Sequence, residues 1–299
     1  MTLADFTADE ITAVLDLADE LKRERAAGRP RQSHAGKTLA LLFQKPSLRT
    51  RVSFDVAMHE LGGDALYLGP DEVGVGERES VADVAAVLSR YVHGVAARVF
   101  GHDVVEGLAE YGDVPVINGL SDLLHPCQVL ADLMTVRERF GKFEGLTLVY
   151  VGDGNNVANS LLLGGAITGL NVTIVTPAGY EAAANITSRA QELAKRSRAK
   201  IAVTNDLSAV NGADILYTDV WASMGEEGVA TQKKQAFAGF TVDADMVAAA
   251  APHAIVLHCL PAHYGEEITE AVARGPRSAI WEEAENRLHA QKALLAMLL

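Results

Sequence analysis

Apolar positions along this chain change their period repeatedly, and each change marks an element. The run TLALLF at 38–43 is short and uninterrupted, which predicts a buried strand. Apolar residues then recur at Phe54, Ala57, Met58 and Leu61, the spacing of one helix face. Between them lies Lys45-Pro46-Ser47-Leu48-Arg49-Thr50-Arg51, a tight turn in which Ser47 can cap the helix by accepting a backbone N–H two or three residues on. The alternation continues on both sides. Ile11, Val14, Leu15 and Leu21 predict an amphipathic helix over 4–22. Strands are predicted over 65–68, 94–100 and 114–118, and helices over 79–91 and 104–110. Residues 69–76 hold three glycines and a proline and read as a flexible loop able to cover a site.

His125-Pro126-Cys127-Gln128 opens a helix running to about 140, its proline near the first position, where the missing N–H costs nothing. Residues 141–145 then read as a hinge, and the pattern restarts. Strands are predicted over 147–151, 172–176, 200–204, 215–218 and 255–258, and helices over 157–168, 182–195 and 283–298. Strands alternating with helices predict an α/β fold of two doubly wound parallel-sheet domains, with sites at the carboxyl ends of the strands. The expected domains are 1–140 and 141–282, with the last helix, about 283–299, packing back on the first.

Composition narrows the partners. A chain of 299 residues with 49% hydrophobic content can bury two cores. The net charge of −13 argues against nucleic acid, whose phosphates demand a basic face. No run of eighteen apolar residues suggests a membrane span. Met1-Thr2-Leu3-Ala4-Asp5 lacks a signal-peptide pattern. Cys127 and Cys259 have no paired spacing, which predicts free thiols in a reducing, cytoplasmic setting. Among scattered histidines and so few thiols no zinc-type cluster is expected.

Within this frame a few residues carry chemistry. At Ser47 to Arg51, backbone N–H groups, the positive end of a helix dipole, two hydroxyls and two guanidiniums would converge. That combination grips a phosphate or another small dianion; a capped helix with solvated arginines is the plainer reading. His125 and Gln128, three apart at a helix start, can face one ligand. Arg98 is embedded in an apolar strand and needs a partner or an exit to water. Gly152-Asp153-Gly154-Asn155-Asn156 follows a strand and opens a helix, but Val157 breaks the dinucleotide spacing. Its amides suit a zwitterion, donating to a carboxylate and accepting from an ammonium. Asp219 could hold an ammonium, with Ser223 assisting and Met224-Gly225 wrapping an aliphatic stem. Cys259 ends a strand and invites a nucleophile reading, although no acid lies near it in sequence and a buried, inert thiol is the usual state.

Together these motifs resemble the aspartate/ornithine carbamoyltransferase superfamily, in its ornithine branch, over nearly the whole chain. The resemblance rests on Ser47-Leu48-Arg49-Thr50-Arg51, Arg98, His125-Pro126-Cys127-Gln128, Asp153 to Asn156, Asp219 to Gly225, His258-Cys259-Leu260-Pro261 and Glu285-Asn286-Arg287. It implies transfer of the carbamoyl group of carbamoyl phosphate to the δ-amino group of L-ornithine, in a cleft between the two domains, with neither metal nor organic cofactor. By this likeness Ser47, Leu48, Arg49 and Thr50 hold the phosphate, Arg98, His125 and Gln128 the carbamoyl end, and Arg287 a further phosphate or carbonyl contact. Asn156, Asp219, Ser223 and Met224 resemble ornithine-binding residues. Cys259 and Leu260 match positions facing the reacting amine and the carbamoyl NH2. The family forms catalytic trimers, so a homotrimer or a multiple of trimers is implied. Two positions depart from the pattern. Leu48 stands where many members have Thr, a contact made through backbone N–H. Gly74 stands where a Gln commonly reaches a neighbouring subunit's phosphate, so that contact is missing or replaced by Arg78 or loop backbone. Putrescine or an N-acylated ornithine as acceptor, or a non-catalytic binding protein on this fold, are the rival readings.

Overall fold

The computed structural model describes residues 1–222, 228 and 230–299. The chain divides into two compact units: Met1–Ala131 with Glu285–Leu299, and Asp132–Ala284. The first unit carries α1 (Ala8–Ala26), β1 (Thr38–Phe43), α2 (Leu48–Glu60), β2 (Asp64–Leu68), α3 (Pro70–Val73), α4 (Val81–Leu88), β3 (Gly94–Arg98), α5 (His102–Tyr111) and β4 (Val116–Leu120). Its four strands form a parallel sheet in the order β2-β1-β3-β4. Helices crossing both faces demand strands that are apolar on both sides, which is why the block at 38–43 shows no alternation. Ala40, Leu42, Val95 and Ala97 from the sheet pack with Val84, Val105 and Leu108 from α4 and α5.

Helix α6 (Pro126–Phe140) starts in the first unit and ends in the second. The chain thus changes units inside a continuous helix, ahead of the glycines at 141 and 145. The second unit follows with β5 (Thr147–Val151), α7 (Asn156–Thr168), β6 (Asn171–Val175), α8 (Ala184–Ser197), β7 (Ile201–Thr204), β8 (Ile215–Thr218), α9 (Ala230–Ala236), α10 (Ala244–Ala249), β9 (Ile255–His258) and α11 (Glu270–Ala273). Its five strands are parallel, in the order β7-β6-β5-β8-β9. Val149, Val151, Leu216 and Val256 form the base of its core, with Trp221 stacked on Phe237 at 5.5 Å. The last helix, α12 (Ile280–Leu298), crosses back, so residues 285–299 complete the first unit. There Lys22 Nζ donates to Asn286 Oδ1 (2.8 Å) and the buried Lys292 pairs with Glu60 (2.7 Å).

Three expectations need correcting. The first helix begins at Ala8, because Thr7 and Glu10 close a reciprocal cap (2.7 and 3.2 Å); residues 3–5 form a separate single turn. The stretch 69–76 is not all loop, since it contains α3, whose Gly69 N–H donates to Glu72. Sequence periodicity also passed over the short helices α9, α10 and α11, each too brief to show a repeat.

Candidate functional site

In the first unit the carboxyl end of β1 leads straight into the start of α2. Ser47 is the N-cap in extended backbone; its Oγ accepts from Thr50 N–H at 3.3 Å and lies 3.1 Å from Thr50 Oγ1. The N–H groups of this first turn have no acceptor within the helix. Thr50 is buried, Arg49 half-buried, and the Leu48 side chain 76% exposed. Arg287, on α12, bridges two of the expected site residues: Nη1 donates to Gln128 Oε1 at 2.7 Å and Nη2 to Thr50 Oγ1 at 3.2 Å. Arg98 is held at the end of β3, where the register with β4 shifts between Ala97 and Arg98 and the Arg98 carbonyl accepts from Gln44 N–H (2.8 Å). His125 precedes α6, its carbonyl accepting from the N–H groups of Gln128 and Val129.

Ser47, Thr50, Arg98, His125, Gln128 and Arg287 thus gather at strand ends of one unit, most of them buried. Burial first, and then the charges of Arg287, Arg98 and Arg49, hold the His125 imidazole well below its ordinary value. It is therefore neutral at pH 7, a hydrogen-bond partner and not a cation. Arg51 does not join the group. Its guanidinium lies 3.9 Å over the Tyr67 ring, so one of the two arginines expected to converge is spent on a cation–π contact. Gly74 ends α3 with φ +61°, and a Cβ there would approach Arg78 Cβ at 3.0 Å. Glycine at this departure from the family pattern follows from the turn.

The second unit assembles a different cluster. Asn155 caps α7, its Oδ1 accepting from Val157 and Ala158 N–H (2.9 and 3.2 Å), while its Nδ2 donates to Asp219 Oδ2 (2.8 Å). Asn156 is the first residue of that helix. Gly154 has a packing reason, since a Cβ there would meet Ala182 N at 2.2 Å; no dinucleotide is needed to explain it. Asp219 Oδ1 accepts from Val220 N–H (2.8 Å) and from the Cys259 thiol (2.9 Å). The acid that Cys259 lacked in sequence is supplied by the neighbouring strand. Burial and then the Asp219 charge raise the Cys259 thiol well above its usual value, so it is a protonated donor and not a thiolate nucleophile. Leu260 adopts φ +57°, its N–H donating to His258 Nδ1 (2.8 Å), while His258 Nε2 lies 3.0 Å from Glu267 Oε1. Donor atoms of Asp219, His258 and Cys259 lie within 4.8 Å of one another, yet both imidazole nitrogens of His258 are already engaged. Ser223 and Met224 lie outside the described residues.

Sequence reading missed Asn155 as the partner of Asp219, although it stands beside Asn156. It also missed Lys233, which pairs with Asp153 at 2.9 Å out of solvent. A lysine on a short helix that shows no period gives no local sign of such a partner.

These two clusters can be set against known proteins. The carbamoyl-P binding domain model of aspartate/ornithine carbamoyltransferase matches residues 1–138, and the Asp/Orn binding domain model matches 144–298. An ornithine carbamoyltransferase of Acidothermus cellulolyticus is 54% identical over 298 residues, covering 99% of this chain and 94% of that one. An anabolic ornithine carbamoyltransferase of Pyrococcus furiosus is 50% identical over 300 residues, covering 100% and 95%. A solved structure of ornithine carbamoyltransferase from Pyrococcus furiosus superposes with a TM-score of 0.96 at 50% identity, covering 99% of this chain and 95% of that one. With both halves matched in order and these motifs in place, the chain belongs to the aspartate/ornithine carbamoyltransferase family.

Proposed function

We infer that the protein transfers the carbamoyl group of carbamoyl phosphate to the δ-amino group of L-ornithine, giving L-citrulline and phosphate. The observation that carries the site assignment is the buried Thr50–Arg287–Gln128 bridge beside Arg98 and neutral His125. It is a preorganised set of donors at a helix N-terminus, suited to a phosphorylated acyl donor. Ser47, Leu48, Arg49 and Thr50 bind the phosphate, through the first-turn N–H groups and the Arg49 guanidinium. The exposed Leu48 side chain supports a backbone contact there, where the residue type matters little. Arg98, His125, Thr50 and Gln128 take the carbamoyl group, with Arg287 fixing Gln128 and Thr50 in place.

Asn156, Asp219, Ser223 and Met224 hold ornithine, and Cys259 with Leu260 faces the reacting amine and the carbamoyl NH2. The amine nitrogen attacks the carbamoyl carbon, forming the C–N bond and a tetrahedral oxyanion. Collapse of that oxyanion breaks the C–O bond to phosphate, which leaves with the electron pair and takes up the proton that the nitrogen gives up. Removing one oxyanion donor costs about 2.7–4 kcal/mol of transition-state stabilisation in comparable sites. Holding both reactants in attack geometry contributes roughly 7–11 kcal/mol. The direction of use is biosynthetic, in line with the relative named anabolic. The enzyme works in the cytoplasm, in keeping with two free cysteines; among the described residues no helix is long and apolar enough to cross a membrane. It assembles as a homotrimer, as the family resemblance implies, which analytical ultracentrifugation checks.

The deciding assay offers ornithine, putrescine and N-acetylornithine side by side with carbamoyl phosphate. Citrulline from ornithine is the expected product, and carbamoylation of none of the three would sink the enzyme reading. Arg49→Ala should abolish turnover with the fold intact; near-normal activity would mean the phosphate site is misplaced.

A further inference from the structure

Beneath the Cys259 turn lies a buried acidic pair that none of the roles above uses. Glu283 sits in the first turn of α12 and Asp132 in α6, both fully buried and hydrogen-bonded to each other. Two carboxyl groups in contact out of water hold one proton between them, because both cannot ionise there. The remaining bonds of Glu283 are directed. Its Oε1 accepts from the Tyr217 hydroxyl on β8 at 3.1 Å, and its Oε2 from the backbone N–H of His258, the last residue of β9, at 2.8 Å.

The next two residues are pinned in turn. The Cys259 thiol donates to Asp219, and Leu260 N–H donates to the His258 ring. Leu260 holds a left-handed backbone conformation, which is unfavourable for a non-glycine residue and persists only where the surroundings over-determine it. Glu283 is one of those constraints, fully buried and bonded to the backbone of the residue before Cys259. We propose that Glu283, held by Asp132, is a positioning residue for the transfer reaction: by fixing the His258 N–H it sets where the Cys259–Leu260 turn meets the substrate amine. This rests on the reading that the Cys259–Leu260 turn faces substrate.

Four variants test it. Glu283→Gln keeps the shape; its carbonyl can accept from His258 N–H while its amide donates to Asp132, so kcat should stay within about threefold of the parent. Glu283→Ala removes the bond and should lower kcat at least tenfold. The KM for carbamoyl phosphate should change less than kcat, because the residues assigned to its phosphate belong to the other unit. Glu283→Asp, one methylene short of His258, should resemble Ala, and it decides the matter if the Ala variant fails to fold. Iodoacetamide labelling of Cys259 in the folded, ligand-free enzyme should quicken in Ala and Asp but not in Gln. A parental kcat in Asp, or an equal loss in Gln and Asp, overturns the proposal. So does a fall in melting temperature with unchanged kcat and labelling. If Cys259→Ala leaves turnover unchanged, the reading of the turn itself has failed, and that result is independent of Glu283.

Discussion

His125 experiences burial and three guanidinium charges acting in one direction, and the consequence can be measured. Its folded-state value lies below the ordinary one, so the unfolded chain binds the proton more readily. The stability it contributes is fully present above about pH 6.5 and is lost as pH falls toward the folded value. His34 and His289 are shifted downward mainly by burial as well and add to the same trend. Urea-denaturation midpoints should therefore drop on acidification below about pH 6.5, and His125→Gln should flatten part of that slope. Cys259 has the opposite sign. A raised thiol stabilises the fold below its unfolded value, about 8.5, and that contribution disappears as pH rises through the folded value. Alkylation of Cys259 at pH 8 should accordingly be slower than that of a free thiol, and Asp219→Asn should speed it, as followed by intact mass. Cys127, pushed up to about 11 chiefly by burial, should stay unlabelled.

At the scale of elements, the proposed phosphate site would give the capping hydroxyl of α2 a second job. Ser47→Ala should cost about 1 kcal/mol of stability and raise the KM for carbamoyl phosphate more than that for ornithine, seen by thermal denaturation and steady-state kinetics. This element was fully legible in sequence: an apolar block, a capping serine and a helical repeat are all local signals. The buried strands β1, β3, β5, β8 and β9 were legible for the same reason, since a parallel strand covered on both faces is apolar without alternation. What escaped depends on the neighbour across the sheet. Arg51 pairs with the Tyr67 ring on β2, and Cys259 meets Asp219 forty positions away because β8 and β9 lie side by side. No residue adjacent to either announces its partner. The change of unit inside α6 was hidden by the helix itself, whose period runs through it unbroken. Glu283 reads as an ordinary acidic residue in a helix's first turn until Tyr217 and the end of β9 are placed against it.

For the whole molecule, the numbers to hold together are −13 and three: a strongly acidic chain keeps three arginines around one histidine. Such a cluster offsets the general repulsion of an anionic substrate only at short range, inside the Debye length of roughly 8 Å at physiological salt. The unit that carries the cluster is also assembled from both ends of the sequence. Residues 1–131 emerge from the ribosome before the second unit, yet the Arg287 that ties Thr50 to Gln128 emerges only after it. The inserted unit, 132–284, is wholly synthesised before then. Order of synthesis and order of completion are therefore reversed: residues 1–131 must wait, partly built, for residues 285–299. A chain stopped after Ala284 should yield a protease-resistant fragment spanning 132–284 while 1–131 is digested, as mapped by limited proteolysis and mass spectrometry. The Thr50–Arg287–Gln128 bridge would then close only on chains that extend through Arg287, and on the proposed site a copy stopped after Ala284 should not hold carbamoyl phosphate.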